Sequence, residues 1–401
     1  MNILSFIDLI REIFKRGTPD INKIQNKGLL AVKIGQVFAL RIDFLGAEKC
    51  KELAKLYQDN KNLPQEDFDI LLNEYTDISW EKKFAYIDNI PLASASIGQV
   101  HKGKLITGED VVIKLIKKEF TATFKKDVKN VLSLFKFITL FYPKLKRVAN
   151  PIYLLEMIEQ DTLNELKLSN EWEHQDILIN IYKNNKDKVD LRDLSFPKIY
   201  RNLSNDKLMV SEEIKGETFE KLLQNKELSY HTLKKLFRIH GFYMFGIGTF
   251  HGDLHPGNII LSGEKIYFVD CGAIGHVSNK LRVGLFNFMK HLSYYDFTGC
   301  AESLHQMSDI ILPQRKYNEF HNKFLKLYSN FPGKTVSQVS LTQQMMYTIK
   351  LGVNHGMAFE RGIFPIIKSL MYLDGMVIRC NPNAVLMEDM REYIPELEPF
   401  I

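Results

Sequence analysis

The chain has 401 residues, of which 45% are hydrophobic and 25% are charged, a balance typical of a globular protein long enough for two substantial cores. Its formal net charge is only +5, so charge gives no reason to expect nucleic acid as a partner, although phosphate ligands and anionic membranes remain open. A disordered chain is excluded by the same composition.

The spacing of the cysteines and the length of the apolar segments indicate where in the cell the protein is expected. The chain has four widely spaced cysteines: Cys50, Cys271, Cys300 and Cys380. They show neither a CxxC metal pattern nor a dense disulfide pattern, so a reducing cytoplasm is the simplest assumption. The apolar segments 131–142 and 363–378 are short and interrupted by charged residues. Basic residues follow the first apolar stretch instead of preceding it, the wrong order for a secretory signal. We therefore expect a cytoplasmic protein.

The N-terminal residues 2–15 have apolar side chains at spacings of three and four, which predicts one apolar face of a helix. These side chains are Ile3, Phe6, Ile7, Ile10 and Phe14. Packing onto the body of the protein is one interpretation. Peripheral contact with an anionic membrane is the other, because basic residues accompany the bulky apolar ones. The helical pattern continues over 29–58, and Pro64 opens another helix.

From Phe84 the pattern changes to that of strands, and residues 93–115 predict strand, small-residue loop, strand, a turn at Thr107-Gly108, and strand. The loop residues, whose backbone amides we expect to approach nucleotide phosphates, are Ala93, Ser94, Ala95, Ser96, Ile97 and Gly98. Lys114 ends the run VVIK, where a strand lysine can reach the same phosphates. In isolation, an exposed strand lysine is the commoner interpretation.

Residues 118–186 are predicted to be helical and contain Glu165 and Glu171, which are too far apart to share one helical stripe and are expected to serve different partners. A later strand ends at Glu212, where the edge of an adenine would meet backbone groups; a solvated acidic turn is the alternative. Residues 280–401 are again predicted to be helices, broken near 331–333 and 381–383.

The central motif is FHGDLHPGNIILSGEKIYFVDCG, residues 250–272. It combines two carboxylates and an amide in the order that phosphoryl transfer from a metal nucleotide requires. Asp253 can orient a hydroxyl, and Asn258 and Asp270 can hold a metal ion. Two apolar strands joined at Ser262-Gly263 are predicted to bring Asp270 back beside Asn258.

These motifs resemble the UbiB family of atypical protein-kinase-like proteins, which is associated with ubiquinone biosynthesis, over residues 27 to 385. The family's KxGQ signature matches Lys33-Ile34-Gly35-Gln36, and its alanine-rich loop matches 93–98. Glu171 matches the helix partner of Lys114. Two motifs depart from the family: ExD is here Glu165-Leu166-Lys167, and DFG is here Asp270-Cys271-Gly272.

The resemblance implies an α+β, two-lobed protein-kinase-like fold. It divides the chain into an N-terminal helical extension with the KxGQ motif (1–80), a small lobe with a helical insertion (81–215) and a large lobe (216–401). It also implies an enzyme, an atypical kinase or ATPase, that uses ATP and Mg²⁺ and supports isoprenoid-quinone synthesis, with a phenolic or lipid small molecule and peripheral contact at the inner face of a membrane as open possibilities.

The resemblance further implies roles for individual residues. Lys114 contacts nucleotide phosphates and pairs with Glu171, Asn258 and Asp270 hold the metal, and Asp253 positions the attacking hydroxyl or water. Lys33 and Gln36 belong to a lid that excludes polypeptides, in which Lys33 pairs with Glu165.

Two other function classes stay open on the sequence alone. HGDLHPGN also resembles the catalytic loop of aminoglycoside and choline phosphotransferases, which would not be expected to carry the KxGQ segment. A nucleotide-binding pseudokinase scaffold is the non-enzyme alternative, and measured turnover with metal separates it from a kinase.

Overall fold

The computed structural model describes residues 1–39, 45–57, 62–76, 79–117, 121–141, 151–360 and 362–401. The chain forms two compact units: residues 1–172 with 198–213, and residues 173–197 with 214–401. The predicted extension 1–80 thus belongs to the same unit as the strands that follow it, and residues 173–197, predicted in the small lobe, belong to the second unit. Residues 118–120 and 142–150 of the predicted helical stretch lie outside the described residues.

The first unit is rich in helices. These are α1 (Ile3–Phe14), α2 (Ile21–Gln25), α3 (Leu29–Ala39), α4 (Ala47–Ala54), α5 (Gln65–Tyr75), α6 (Thr121–Phe141), α7 (Pro151–Glu165) and α8 (Leu168–Asn185), of which α8 continues into the second unit. Short 3₁₀ turns occupy Lys55–Tyr57, Trp80–Lys82 and Arg201–Leu203. Pro64 directly precedes α5 as its N-cap, as predicted.

The face of α1 that meets the core overlaps the predicted one only in part, since Phe6 is buried and Ile10 packs against the same core. The buried side chains are Phe6, Leu9 and Ile13, whereas Ile3, Ile7 and Phe14 are exposed. Both stripes satisfy helical spacing, so periodicity alone could not tell which one faces the protein. Packing onto the body is confirmed through the first stripe.

The sheet of the first unit positions the predicted phosphate-binding residues. Its strands are β1 (Phe84–Ile87), β2 (Ala93–Ser94), β3 (Gly98–Leu105), β4 (Asp110–Ile116) and β6 (Leu208–Glu212). They pair in the antiparallel order β1-β3-β4-β6, with β2 on β3. The predicted turn at Thr107-Gly108 is present, with Gly108 at φ +101°. Val111, Ile113 and Leu115 alternate into the core, which leaves Lys114 on the opposite face of β4.

The second unit holds the catalytic-type motif in two small sheets. Its strands are β5 (Leu194–Ser195), β7 (Glu217–Thr218), β8 (Thr249–His251), β9 (Ile259–Ser262), β10 (Lys265–Phe268) and β11 (Ile274–His276). One sheet has the order β5-β10-β9-β7, and β8 pairs with β11.

The remainder of the second unit is helical around an aromatic core. Its helices are α9 (Phe219–Asn225), α10 (Tyr230–Gly241), a π-helix (Phe242–Ile247), α11 (Asn279–Ser293), α12 (Phe297–Met307), α13 (Gln314–Tyr328), α14 (Leu341–His355), α15 (Ile363–Cys380), α16 (Leu386–Asp389) and α17 (Ile394–Leu397), with 3₁₀ turns at Pro256–Asn258, Met390–Tyr393 and Glu398–Phe400. The predicted breaks after Tyr328 and Cys380 are confirmed. Among the described residues, we find no helix with the length and apolar character needed to span a bilayer.

Candidate active site

The lysine of β4 and the first turn of α8 form a short ion pair. Lys114 lies between Val100 of β3 and Met209 of β6, and its Nζ donates to Glu171 Oε2 at 2.6 Å. The Glu171 side chain is only 6% exposed and lies in the first helical turn, where the helix dipole stabilises a carboxylate. The predicted pair is therefore present, and Glu171 of α8 orients the Lys114 side chain.

The alanine-rich segment is a tight hairpin, not a loop over all of 93–98. Ala93 and Ser94 form β2 and pair with Val100 and Gln99 of β3, while Gly98 already begins β3. Only residues 95–97 form the turn, which the Ala95 N–H closes by donating to the Gly98 carbonyl at 2.8 Å. Small side chains at 93–96 keep this backbone accessible, whereas Ile97 is buried.

The KxGQ helix, α3, is tied down by both of its motif side chains. Lys33 Nζ pairs with the Glu165 carboxylate, as predicted. Gln36 instead is buried, and its Nε2 donates to the Leu56 carbonyl at 2.9 Å. Gly35 makes this contact possible, because a Cβ there would collide with the Leu56 side chain. Gln36 thus anchors α3 to the turn that contains Leu56, and its place in a lid stays a prediction.

Glu212, predicted to mark the adenine contact, is engaged within the first unit. Its N–H donates to the Lys198 carbonyl at 2.8 Å, and its carboxylate accepts from the Lys198 N–H at 3.1 Å. Glu213 pairs with Lys102 at 2.5 Å. Both acidic residues thus brace the end of β6, which fits the acidic-turn alternative.

In the second unit, hydrogen bonds between side chains and backbone within the HGDLHPGN loop hold it together. The Asp253 N–H donates to His251 Nδ1, and Asn258 Nδ2 donates to the Asp253 carbonyl, both at 3.1 Å. Burial lowers the pKa values of His251 and His255, against the raising effect of Asp253. Both imidazoles are therefore predominantly neutral at neutral pH.

A residue that the sequence did not single out lies beside Asp253. Lys368 of α15 places Nζ 3.3 Å from Asp253 Oδ1. The two side chains are 23% and 28% exposed, whereas Oδ1 itself is buried and accepts no hydrogen bond within the described residues, so this contact is an ion pair without hydrogen-bond geometry. The only signal in the sequence was an isolated lysine in the apolar stretch 363–373.

The β9–β10 hairpin brings the two predicted metal ligands together. Ile259 pairs with Phe268, and the Val269 N–H donates to the Asn258 carbonyl at 3.1 Å, which places Asp270 at the same end of the hairpin as Asn258. The turn residues are Gly263 and Glu264, one position later than predicted, with Gly263 at φ +57°.

The ligand chemistry of this pair suits a hard cation. Since Asn258 uses its amide nitrogen on Asp253, its oxygen is left for a metal, and Asp270 adds a carboxylate whose Oδ1 also accepts from the Gly272 N–H at 3.0 Å. Mg²⁺ prefers one or two such oxygens together with water and phosphate. Within the described ranges no cluster of three or more His, Cys, Asp or Glu side chains could hold a metal alone.

A model of the ABC1 atypical kinase-like domain matches residues 55–304, more than half of the chain. The chain belongs to this family. The matched segment includes the first-unit sheet, Lys114, Glu171 and the whole motif 250–272. The predicted α+β, two-lobed kinase-like fold is thereby confirmed.

Curated relatives carry the resemblance over almost the full chain. An uncharacterized protein in the hydrogenase 1 5' region of Clostridium pasteurianum is 25% identical over 399 residues, 95% of this chain and 71% of the relative. The protein called "Probable protein kinase UbiB" is 25% identical in Aeromonas salmonicida (95% of this chain, 71% of the relative) and 26% identical in Blochmanniella pennsylvanica (92% and 68%). The resemblance to UbiB proteins is confirmed.

A solved structure shares the fold. The Rv3197–erythromycin complex from Mycobacterium tuberculosis superposes with a TM-score of 0.53 over 95% of each chain, at 17% sequence identity. At that identity the likeness concerns the fold alone.

Proposed function

We propose that this atypical kinase binds ATP with Mg²⁺ and transfers or hydrolyses the terminal phosphoryl group. One observation supports this most directly. The Asn258 side-chain amide donates a hydrogen bond to the Asp253 backbone carbonyl, and the Asn258 backbone carbonyl accepts one from the N–H of Val269, the residue before Asp270. The three polar residues that metal-assisted phosphoryl transfer needs are thus held in one rigid loop and hairpin.

Each group then has a task. Asn258 and Asp270 hold the metal ion, which when bound neutralises charge on the phosphate oxygens. Asp253 orients the attacking hydroxyl or water and accepts its proton. Lys368 holds one Asp253 oxygen in place and adds positive charge near the transferred group. Lys114, oriented by Glu171, contacts the nucleotide phosphates.

The relatives support a proposal for the physiological setting. Because proteins named UbiB are similar over nearly the whole chain, we propose support of ubiquinone synthesis, with a phenolic or lipid small molecule as a further partner. The exposed side chains of α1, Ile3, Ile7 and Phe14, with Arg11 beside them, suit peripheral contact with an anionic membrane.

The test compares a substitution of the proposed metal ligand, Asp270, with a substitution of the next residue, Cys271. Asp270→Asn keeps an oxygen for the Gly272 N–H but removes the charge that a hard cation prefers, so we expect loss of Mg²⁺-dependent turnover by roughly two orders of magnitude or more. The control is Cys271→Ala, since the buried Cys271 has no room for the Phe of ordinary kinases. ATP turnover and Mg²⁺-dependent nucleotide affinity are measured for both. An equal loss in both variants would remove the metal assignment, and no turnover in the unmodified chain would favour the pseudokinase scaffold.

A further inference from the structure

A cavity of about 70 Å³ lies inside the second unit, where α10 runs into the π-helix. Helices α10, α11, α15 and the C-terminal segment supply its walls, which are almost wholly apolar. Four methionines contribute to these walls: Met244, Met289, Met387 and Met390. Because Met side chains are unbranched and flexible, such walls can adjust to an occupant.

Two buried polar side chains also line this cavity. His240 is 1% exposed, and neither of its ring nitrogens has a hydrogen-bond partner in the part of the chain that the structure describes. Asp374 is 3% exposed, and its Oδ2 accepts from Ser340 Oγ and from the Thr342 N–H, both at 3.1 Å. Asp374 Oδ1 has no partner within the same described residues. Since unpaired buried polar atoms are costly, they indicate a place where an occupant's polar group is stabilised.

The chemistry of these groups selects a neutral hydroxyl. Burial lowers the pKa of His240 to about 3, so at neutral pH one ring nitrogen donates and the other accepts. Asp374 Oδ1 is a further acceptor. An O–H group can donate to either acceptor while its oxygen accepts from the imidazole N–H, whereas an ionised carboxylate has no proton to donate to these acceptors.

We propose that this cavity binds a small neutral alcohol, whose hydroxyl bonds His240 or Asp374 and whose hydrocarbon part contacts the methionine walls. The space is about half of a cavity of ~150 Å³ that holds benzene, so only a short-chain alcohol fits. The proposal does not depend on the phosphoryl chemistry. The cavity nevertheless lies near the HGDLHPGN loop, because the His240 ring packs edge-on against Phe250, the residue directly before that loop, at 5.5 Å.

The test uses isobutanol as the probe and isobutyl chloride as the probe of similar shape that lacks the hydroxyl. The full chain, labelled with ¹³C at its 13 methionine methyl groups, is titrated with each, and signals are assigned by single Met→Leu substitutions. We expect saturable shifts confined to the four cavity methionines, with a dissociation constant on the order of 1–10 mM for isobutanol and about tenfold weaker binding of the chloride.

Two variants make the result specific. In Gly241→Ala the new Cβ would lie 3.6 Å from Leu397 and Phe245 of the cavity wall, so it narrows the space without a clash and should weaken isobutanol binding at least about fivefold. Gly375→Ala, in α15 with open space at its Cβ, is the matched control and should bind normally. His240→Leu should abolish the preference for the alcohol over the chloride.

Shifts that do not saturate, or that spread over all methionines, would overturn the proposal. So would an alcohol preference that survives His240→Leu, or equal binding by Gly241→Ala and Gly375→Ala. Because Gly241→Ala favours the helix, it keeps the test decisive if His240→Leu fails to fold.

Discussion

The pairs Lys114–Glu171 of the first unit and Lys368–Asp253 of the second differ in distance and burial. Lys114 lies 2.6 Å from a carboxylate, Glu171, that is almost fully removed from water. Lys368 lies 3.3 Å from Asp253, which keeps more than a quarter of its side chain exposed. A buried carboxylate at short range can only orient its lysine, whereas a partly exposed one at longer range is still available to a substrate. We therefore propose that Glu171 orients Lys114, whereas Asp253 reacts.

The largest effect should come from the exposed carboxylate. Asp253→Asn keeps the shape of the side chain but removes the base, so kcat should fall by about two to four orders of magnitude while nucleotide affinity changes much less. Steady-state ATP turnover and equilibrium nucleotide binding measure the two effects separately. Unchanged turnover would mean that Asp253 does not react, and the contrast between the two pairs would then lose its functional meaning.

The buried pair should show its effect in stability as well as in binding. Glu171→Ala leaves Lys114 without its short-range partner carboxylate in a largely desolvated place, which we expect to cost about 3 kcal/mol of unfolding free energy. Urea unfolding of the full chain measures this. Replacing both members, Lys114→Met with Glu171→Leu, should recover part of the stability without recovering nucleotide binding. A single variant as stable as the parent would show that the pair is not structurally required.

The Lys368–Asp253 pair should instead affect turnover much more than stability. Lys368→Met should lower kcat about 10- to 100-fold, below the loss typical of a full transition-state donor, while changing stability by less than about 1 kcal/mol. Lys368→Arg keeps the charge and should recover most of kcat. If KM rises and kcat stays constant, Lys368 contributes to ground-state binding and does not position Asp253.

The sequence predicted those parts of the site whose geometry is local. Asp253, Asn258 and Asp270 follow from the motif and its hairpin, because a two-residue turn brings the strand ends together whatever surrounds them. The Lys114–Glu171 pair followed from the family resemblance. Lys368 could not be predicted, since only tertiary packing of α15 brings it to Asp253.

The sequence was less informative wherever two local patterns were equally good. On α1, two apolar stripes fit the helical period, and only the contacts of the first unit select Phe6, Leu9 and Ile13. Gln36 is a polar residue in a motif, but it becomes buried where Leu56 approaches Gly35. Its side-chain amide donates a hydrogen bond to the Leu56 carbonyl. Such contacts depend on segments distant in the chain, which no periodicity records.

The smallest expected effect concerns the pair Lys33–Glu165, whose carboxylate is 42% exposed and therefore contributes at most about 1 kcal/mol to stability. Its role is proposed to lie in access, because the first residue of α3, Leu29, packs against the apolar cluster that contains Ile97 of the alanine-rich turn. We expect the unmodified chain to phosphorylate generic peptides weakly or not at all, and Lys33→Ala or Ala93→Gly to increase autophosphorylation or change nucleotide preference.

The matched control is Lys27→Ala, which removes the similarly superficial pair with Asp8 in the same unit. Transfer from labelled ATP is measured for all four proteins. Robust transfer to generic peptides by the unmodified chain, or an equal gain in Lys27→Ala, would show that α3 does not restrict access, because loosening any helix of this unit would then have the same result.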